Sequence, residues 1–222
     1  MRDSLNALTE KWGEDRLSAW LSQSPQRILI ENIRREPLGP AGFSLLIHRI
    51  MEPTRAEIVS EFLRELGERV SQPTSISIGG SIALILPGLL SRRTEDINVV
   101  DEVPVQIRGD HALLEALSRR YSIRLAHFQS HYLPAGWESR LHSLDTFGQL
   151  HVRLVDAGDI FLGKLFSNRE KDLDDLRVLA SLMDKNELVA RLPTAAVLRA
   201  EERLRKNAEQ NWYIVYGEAL PG

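Results

Sequence analysis

Two stretches of this chain carry residues whose types and spacing could do chemistry: Ser77-Ile78-Gly79-Gly80-Ser81 and Arg93-Thr94-Glu95-Asp96-Ile97-Asn98. The first reads as a strand breaking into a glycine turn that opens a helix. Glycine lets backbone approach a ligand closely and adopt positive φ. Amides at a helix N-terminus favour an anion such as phosphate, and Ser81 adds a hydroxyl donor. A Gly-Gly at such a junction also serves as a plain tight turn. The second stretch reads as a strand in which Asp96 and Asn98, two residues apart, share one face. Two acids at that spacing hold magnesium, which takes oxygen ligands in octahedral array. Paired magnesium ions activate an attacking oxygen and stabilise a leaving pyrophosphate. The layout suits a site for a phosphorylated nucleotide and a divalent metal, but Asn98 stands where a second carboxylate is wanted. It offers a carbonyl oxygen without negative charge, and Asp101 lies off the face. The competing expectation is that Asp96 is a strand-end acid paired with Arg92 or Arg93.

A third stretch runs from Asp159 to Leu176 and holds Lys164, Arg169, Lys171, Asp172 and Asp175. Asp159 is expected to cap a helix. Lys164 lies just inside it beside the apolar Leu162, Leu165 and Phe166. A lysine in that setting either snorkels to solvent or reaches an anion. Asp172 and Asp175 share a helical face at i, i+3, where Arg169 or Lys171 can pair with them. The bland alternative for residues 170–175 is a solvated charge run.

These residues need elements to hold them. Ser75 to Ile78, Asp96 to Val100 and Ile123 to Phe128 read as strands. Residues 140–146 and 150–155 read as a hairpin around Phe147-Gly148-Gln149. Thr54-Arg55-Ala56-Glu57 has the form of a capping box ahead of an apolar stripe of Ile58, Phe62, Leu63, Leu66 and Val70. A short helix over 81–86 ends near Pro87-Gly88, and Asp110 starts another with Leu113, Leu114, Leu117 and Tyr121 on one face. From Asp159 onward the pattern is helical, interrupted near Asn168, Asp184 and Pro193, with a charged last helix over about 194–212. Residues 4–21 fit an amphipathic helix. The apolar runs at 27–34 and 43–50 fit a hairpin or a pair of helices. The organisation expected is an N-terminal appendage (1–53), a core with a short mixed sheet (54–183) and a helical extension (184–222). Hairpin spacing after residue 120 disfavours a doubly wound parallel fold.

Composition narrows the class. The 222 residues are 43% hydrophobic, enough for one full core. A net charge of −3 does not mark a general nucleic-acid binder. With no cysteine, disulfides and cysteine-ligated zinc are excluded. The first six residues hold no apolar run, and nothing approaches the ~20 apolar residues of a membrane span, so a cytoplasmic protein is expected. Arg199, Arg203, Arg205 and Lys206 make the last helix basic in part. Glu201, Glu202 and Glu209 offset them, as on a solvated face.

Four motifs in order carry a resemblance: Gly79-Gly80-Ser81-Ile82-Ala83, Arg93-Thr94-Glu95-Asp96-Ile97-Asn98, Asp159-Ile160-Phe161-Leu162-Gly163-Lys164-Leu165, and Arg169-Glu170-Lys171-Asp172-Leu173-Asp174-Asp175-Leu176. Together with Leu133 to Arg140, they resemble the nucleotidyltransferase-like superfamily, and within it the uncharacterised bacterial branch related to AbiEii toxins. The resemblance covers about residues 54–183. It implies an α/β (α+β) fold with a short mixed sheet flanked by helices. It also implies magnesium-dependent transfer of a nucleoside monophosphate from an NTP to a hydroxyl acceptor such as RNA or protein, and, for a toxin, an antitoxin partner. By it, Asp96 is a metal ligand and catalytic, with Asn98 at the second metal position. Gly79, Gly80, Ser81, Arg93 and Arg169 bind the nucleotide. Lys164 contacts a phosphate and offsets charge on the leaving pyrophosphate. Asp172 and Asp175 brace the helical wall or orient Lys164 or Arg169.

Two departures stand against catalysis. Asn98 is one. The other is that the strand expected to supply a third acid, Leu150 to Val155, carries His151 and Arg153 instead, with Asp156 just past its end and Arg140, His142 and Asp145 on its neighbour. A catalytically degenerate nucleotide-binding or scaffold protein of the same fold is therefore the competing expectation.

Overall fold

The alternating apolar residues of five short segments build one mixed sheet. The structure, a computed structural model, describes residues 53–221; the readings of residues 4–21 and 27–50 lie outside them. Its strands are β1 (Thr74–Gly79), β2 (Asp96–Val100), β3 (Arg124–Phe128), β4 (His142–Phe147) and β5 (Leu150–Leu154), in the order β3-β2-β1-β5-β4. β1 runs antiparallel to β2 and parallel to β5; β2–β3 is parallel and β4–β5 is the expected hairpin. The fold class read from the sequence, a mixed sheet with flanking helices, is what the chain adopts.

Register sorts the sheet into two faces, because cross-strand partners point the same way. Ile76, Ile78, Ile97, Val99, Leu150 and Val152 are almost fully buried on one face. Helix α1 (Ala56–Arg69) buries Val59, Phe62, Leu63 and Leu66 at helical spacing, and Phe62 meets Tyr121 edge-on at 5.9 Å. The other face is polar. Gly79 lies opposite Asn98, Asp96 opposite Arg124, and Ser77 opposite Arg153.

The capping box at Thr54 does not form. Arg55 is the N-cap of α1 and makes no side-chain cap bond. The Thr54 hydroxyl donates to the Thr94 carbonyl at 2.8 Å and accepts from the Thr94 N–H at 2.9 Å. It thereby ties the entry of α1 to the approach of β2. Satisfying two backbone groups of a loop outcompetes a cap on one helical amide. Thr54→Val, which keeps the shape and loses both bonds, is expected to cost about 1 kcal/mol in a urea melt.

After β1 comes a single helical turn, α2 (Ile82–Ile85). Helices α3 (Val105–Arg108) and α4 (His111–Tyr121) link β2 to β3, and Asp110 caps α4 by accepting from the Leu113 N–H at 3.0 Å. Helix α5 (Ala157–Leu165) follows β5, and its cap is Asp156, not Asp159. Asp159 is fully buried and accepts from Arg140 at 2.8 Å and Arg191 at 3.1 Å. Arg140 also donates to the Ala135 carbonyl at 3.0 Å. The Leu133–Arg140 segment is thus strapped to α5 by one buried carboxylate.

Helices α6 (Glu170–Ala180), α7 (Lys185–Arg191), α8 (Ala196–Ala200) and α9 (Glu202–Tyr216) complete the chain. The expected single helix over 194–212 is two, because Glu201 is extended at φ −82°, ψ 116°. The break lets α9 pack back on α5. Trp212 is fully buried. Asn211 donates to the carbonyls of Leu165 and Ser167, both at 2.8 Å, and Asn207 to that of Phe166 at 3.1 Å. These amides satisfy carbonyls that the end of α5 leaves without helical partners. No helix among the described residues is long and apolar enough to cross a membrane.

Candidate functional site

The two glycines have separate steric reasons. Gly80 has φ +63°, and a Cβ there would lie 2.8 Å from the Asn98 amide nitrogen. The turn therefore needs glycine, and Asn98 closes directly over it. A Cβ on Gly79 would lie 2.4 Å from the ring of Phe128, so its absence lets that ring pack across the strand end. Ser81 is only 7% exposed and donates to Asp175 at 3.4 Å. Its hydroxyl points into the protein, and a four-residue helix behind it supplies little dipole.

Asp96 and Asn98 do share the polar face. Asp96 accepts from Arg124 Nε at 2.8 Å on the edge strand, and not from Arg92 or Arg93. Arg92 goes instead to Asp175 at 3.1 Å, and Arg93 to Glu95 at 3.2 Å.

Lys164 reaches anions, and they belong to the protein. Its Nζ lies 2.5 Å from Asp172 and 2.8 Å from Asp175, with side-chain exposures of 9%, 2% and 3%. Asp172 also accepts from Ser167 Oγ at 2.7 Å and Arg169 Nε at 2.6 Å. Residues 170–175 are therefore a solvated run only in part, since Asp172 and Asp175 face inward. Burial alone would raise the Asp172 pKa. The Lys164 charge and the hydrogen bonds from Lys164 and Ser167 outweigh it and hold the carboxyl below its ordinary value. Burial, with Arg169 and Arg92 nearby, pushes the Lys171 ammonium down.

Beside this network opens a cleft of about 400 Å³. Its polar lining is Gly80, Asn98, Lys164, Ser167, Arg169 and Asp172. Its apolar lining is Phe128, Tyr132, Leu133, Ile160 and Leu204, and Arg203 and Asn207 of α9 also line it. The fold thus brings Gly80, Asn98, Lys164 and Arg169 together across more than eighty residues of sequence. Asp96, Gly79, Ser81, Arg93 and Asp175 lie outside the lining. The sequence reading missed the aromatic wall and α9. Phe128 and Tyr132 flank a strand end with no motif around them. Arg203 reads from sequence as part of a solvated face because its neighbours are glutamates. A second hollow of about 370 Å³, between α1 and the end of α4, is lined largely by charged side chains, among which Glu65 and Arg120 already pair. It holds none of the motif residues.

The donor set for a divalent cation is thin. Asp96 is committed to Arg124, and Asn98 is an amide. Arg153 occupies the β5 position opposite Ser77. Asp156 caps α5 and pairs with Arg191 and His142, which outweigh the effect of burial and hold its pKa down. Among the described residues no three His, Cys, Asp or Glu side chains are grouped to hold a metal ion. A two-magnesium centre, which needs clustered carboxylates to offset four positive charges, does not fit these residues.

A family model described as "Nucleotidyltransferase of unknown function (DUF6036)" matches residues 55–219. No curated protein and no solved structure gives a match.

Proposed function

Because the chain belongs to this family of nucleotidyltransferases of unknown function, we propose that it binds a nucleoside triphosphate in the cleft between the polar sheet face and helices α5, α6 and α9. The observation that carries this reading is the mixed lining. Arg169 and Lys164 bring positive charge to the cleft beside Gly80, where a polyphosphate would lie. Phe128, packed against Gly79, and Tyr132 bring aromatic side chains to the same lining, against which a base would pack. Arg169 is an available cation. Its side chain is 61% exposed and gives only Nε to Asp172, which leaves the terminal guanidinium nitrogens for a phosphate.

Titration calorimetry with each of the four nucleoside triphosphates tests the reading. Arg169→Ala is expected to weaken binding about fivefold, roughly 1 kcal/mol, a discounted value for a solvent-exposed charge-assisted contact. Absence of heat with every triphosphate up to millimolar concentration would end the reading.

One observation favours a second reading. Asp96 and Asn98 share one strand face, where Asn98 covers the Gly80 turn. On this reading the protein transfers a nucleoside monophosphate to a hydroxyl of RNA or protein, as an AbiEii-related toxin held by an antitoxin would. Transfer of label from α-labelled triphosphates to cell RNA or protein, with magnesium or manganese, supports it; unlabelled acceptors alongside measurable triphosphate binding leave the first reading standing.

A further inference from the structure

We infer that the cleft takes the polyphosphate as the free anion, with Arg169 and Arg203 supplying the positive charge that a divalent cation would otherwise bring. The inference rests on the nucleotide-binding reading and goes further, because it names the ionic form of the ligand.

The charges around the cleft lead there. Beside the cleft, Lys164, Arg169 and Arg92 pair with Asp172 and Asp175. Three cations against two carboxylates leave one positive charge, and Arg203 at the cleft lining adds another. Arg203 meets Glu201 only at 3.5 Å, with its side chain 74% exposed, so it is free to turn inward. On the sheet face Asp96 shares β2 with Asn98, and Arg124 pairs with it at 2.8 Å. Arg153 on β5 adds a cation to the same face. Cation-rich walls attract a triphosphate in proportion to its charge. Magnesium removes two of those charges and demands oxygen ligands that these residues do not group together. The ligand that fits is therefore the uncomplexed nucleoside polyphosphate.

The experiment is calorimetric titration of the full chain with ATP at constant ionic strength, once with EDTA and once with saturating magnesium chloride, repeated for Arg203→Ala. The inference expects affinity in EDTA about threefold tighter than with magnesium, and a loss of about threefold on Arg203→Ala in EDTA. Arg203 is exposed, so this variant keeps the fold. Binding as tight or tighter with magnesium would overturn the inference and leave nucleotide binding intact. An unchanged affinity for Arg203→Ala would remove Arg203 from the site and overturn the charge argument. Absence of binding in both buffers would overturn the nucleotide-binding reading itself.

Discussion

Lys164→Met is expected to destabilise the protein by about 3–5 kcal/mol, the usual effect of removing one partner from a buried ion pair. The variant leaves Asp172 and Asp175, 2% and 3% exposed at their side chains, facing each other's charge with the central ammonium gone. Arg169 and Arg92 approach from the rim and offset only part of this. Urea denaturation measures the loss, and the triple variant Lys164→Met, Asp172→Asn, Asp175→Asn separates the causes. If buried charge is the reason, the triple variant recovers much of the loss; if Lys164 contributes only packing, it is no better than the single one. A loss under 1 kcal/mol would mean that water reaches the network freely. The pH dependence follows in sign. The folded pKa of Asp172 is lowered, because Lys164 and its hydrogen bonds outweigh burial. The unfolded chain therefore holds that proton more readily. This stability is fully present above the ordinary aspartate value of about 3.9, and it is lost as pH falls from there through the lower folded value. In Lys164→Met the largest depressing cause is gone, so the acid limb of the stability curve should begin at higher pH than in the unmodified protein.

The same network shows what a sequence reveals and what it withholds. Lys164, Asp172 and Asp175 stand out as charges within apolar helices, so their importance is legible. Their mutual pairing is not, because it depends on how α6 folds back against α5 after the turn at Ser167 and Asn168. Strands declare themselves where alternation is clean, as in Asp96–Val100 and the Leu150 strand, and the hairpin follows from the Phe147-Gly148-Gln149 signal. Local rules mislead where a distant group competes for the same side chain. Thr54 has the form of a cap but serves Thr94. Asp159 has the spacing of a cap but is drawn inward by Arg140 and Arg191, leaving Asp156 to cap the helix. Glu201 breaks a helix that its own neighbours favour, so that Asn207, Asn211 and Trp212 can reach α5. The cleft is legible in half for the same reason. Gly80, Asn98, Lys164 and Arg169 lie in motifs, whereas Phe128, Tyr132 and Arg203 reach it only through tertiary packing.

Asn98→Asp is expected to raise divalent-cation affinity by at least thirtyfold, about 2 kcal/mol. A charge added some 4 Å from a divalent ion near a protein surface is worth several kcal/mol before desolvation and screening. The new carboxylate would sit beside Asp96 on the polar face, over the Gly80 turn. Neither carbon geometry nor backbone need change, since Asn and Asp are isosteric. Arg124 opposes the gain by holding Asp96 at 2.8 Å, so Arg124→Ala in the same chain should add to it. Electron paramagnetic resonance of free manganese reads the affinity directly, whatever the protein does with nucleotides. The unmodified face, with its single engaged carboxylate, is expected to bind manganese weakly, and the variant should make ATP binding tighten in magnesium rather than in EDTA. If manganese affinity does not move, Asp96 and residue 98 do not converge on one ion, and the shared strand face has another use. If it rises and label transfer begins only in the variant, the missing charge is what separates this cleft from a nucleotide-transferring one. A rise without transfer places the remaining deficit on β5, where Arg153 stands on the polar face in place of an acid.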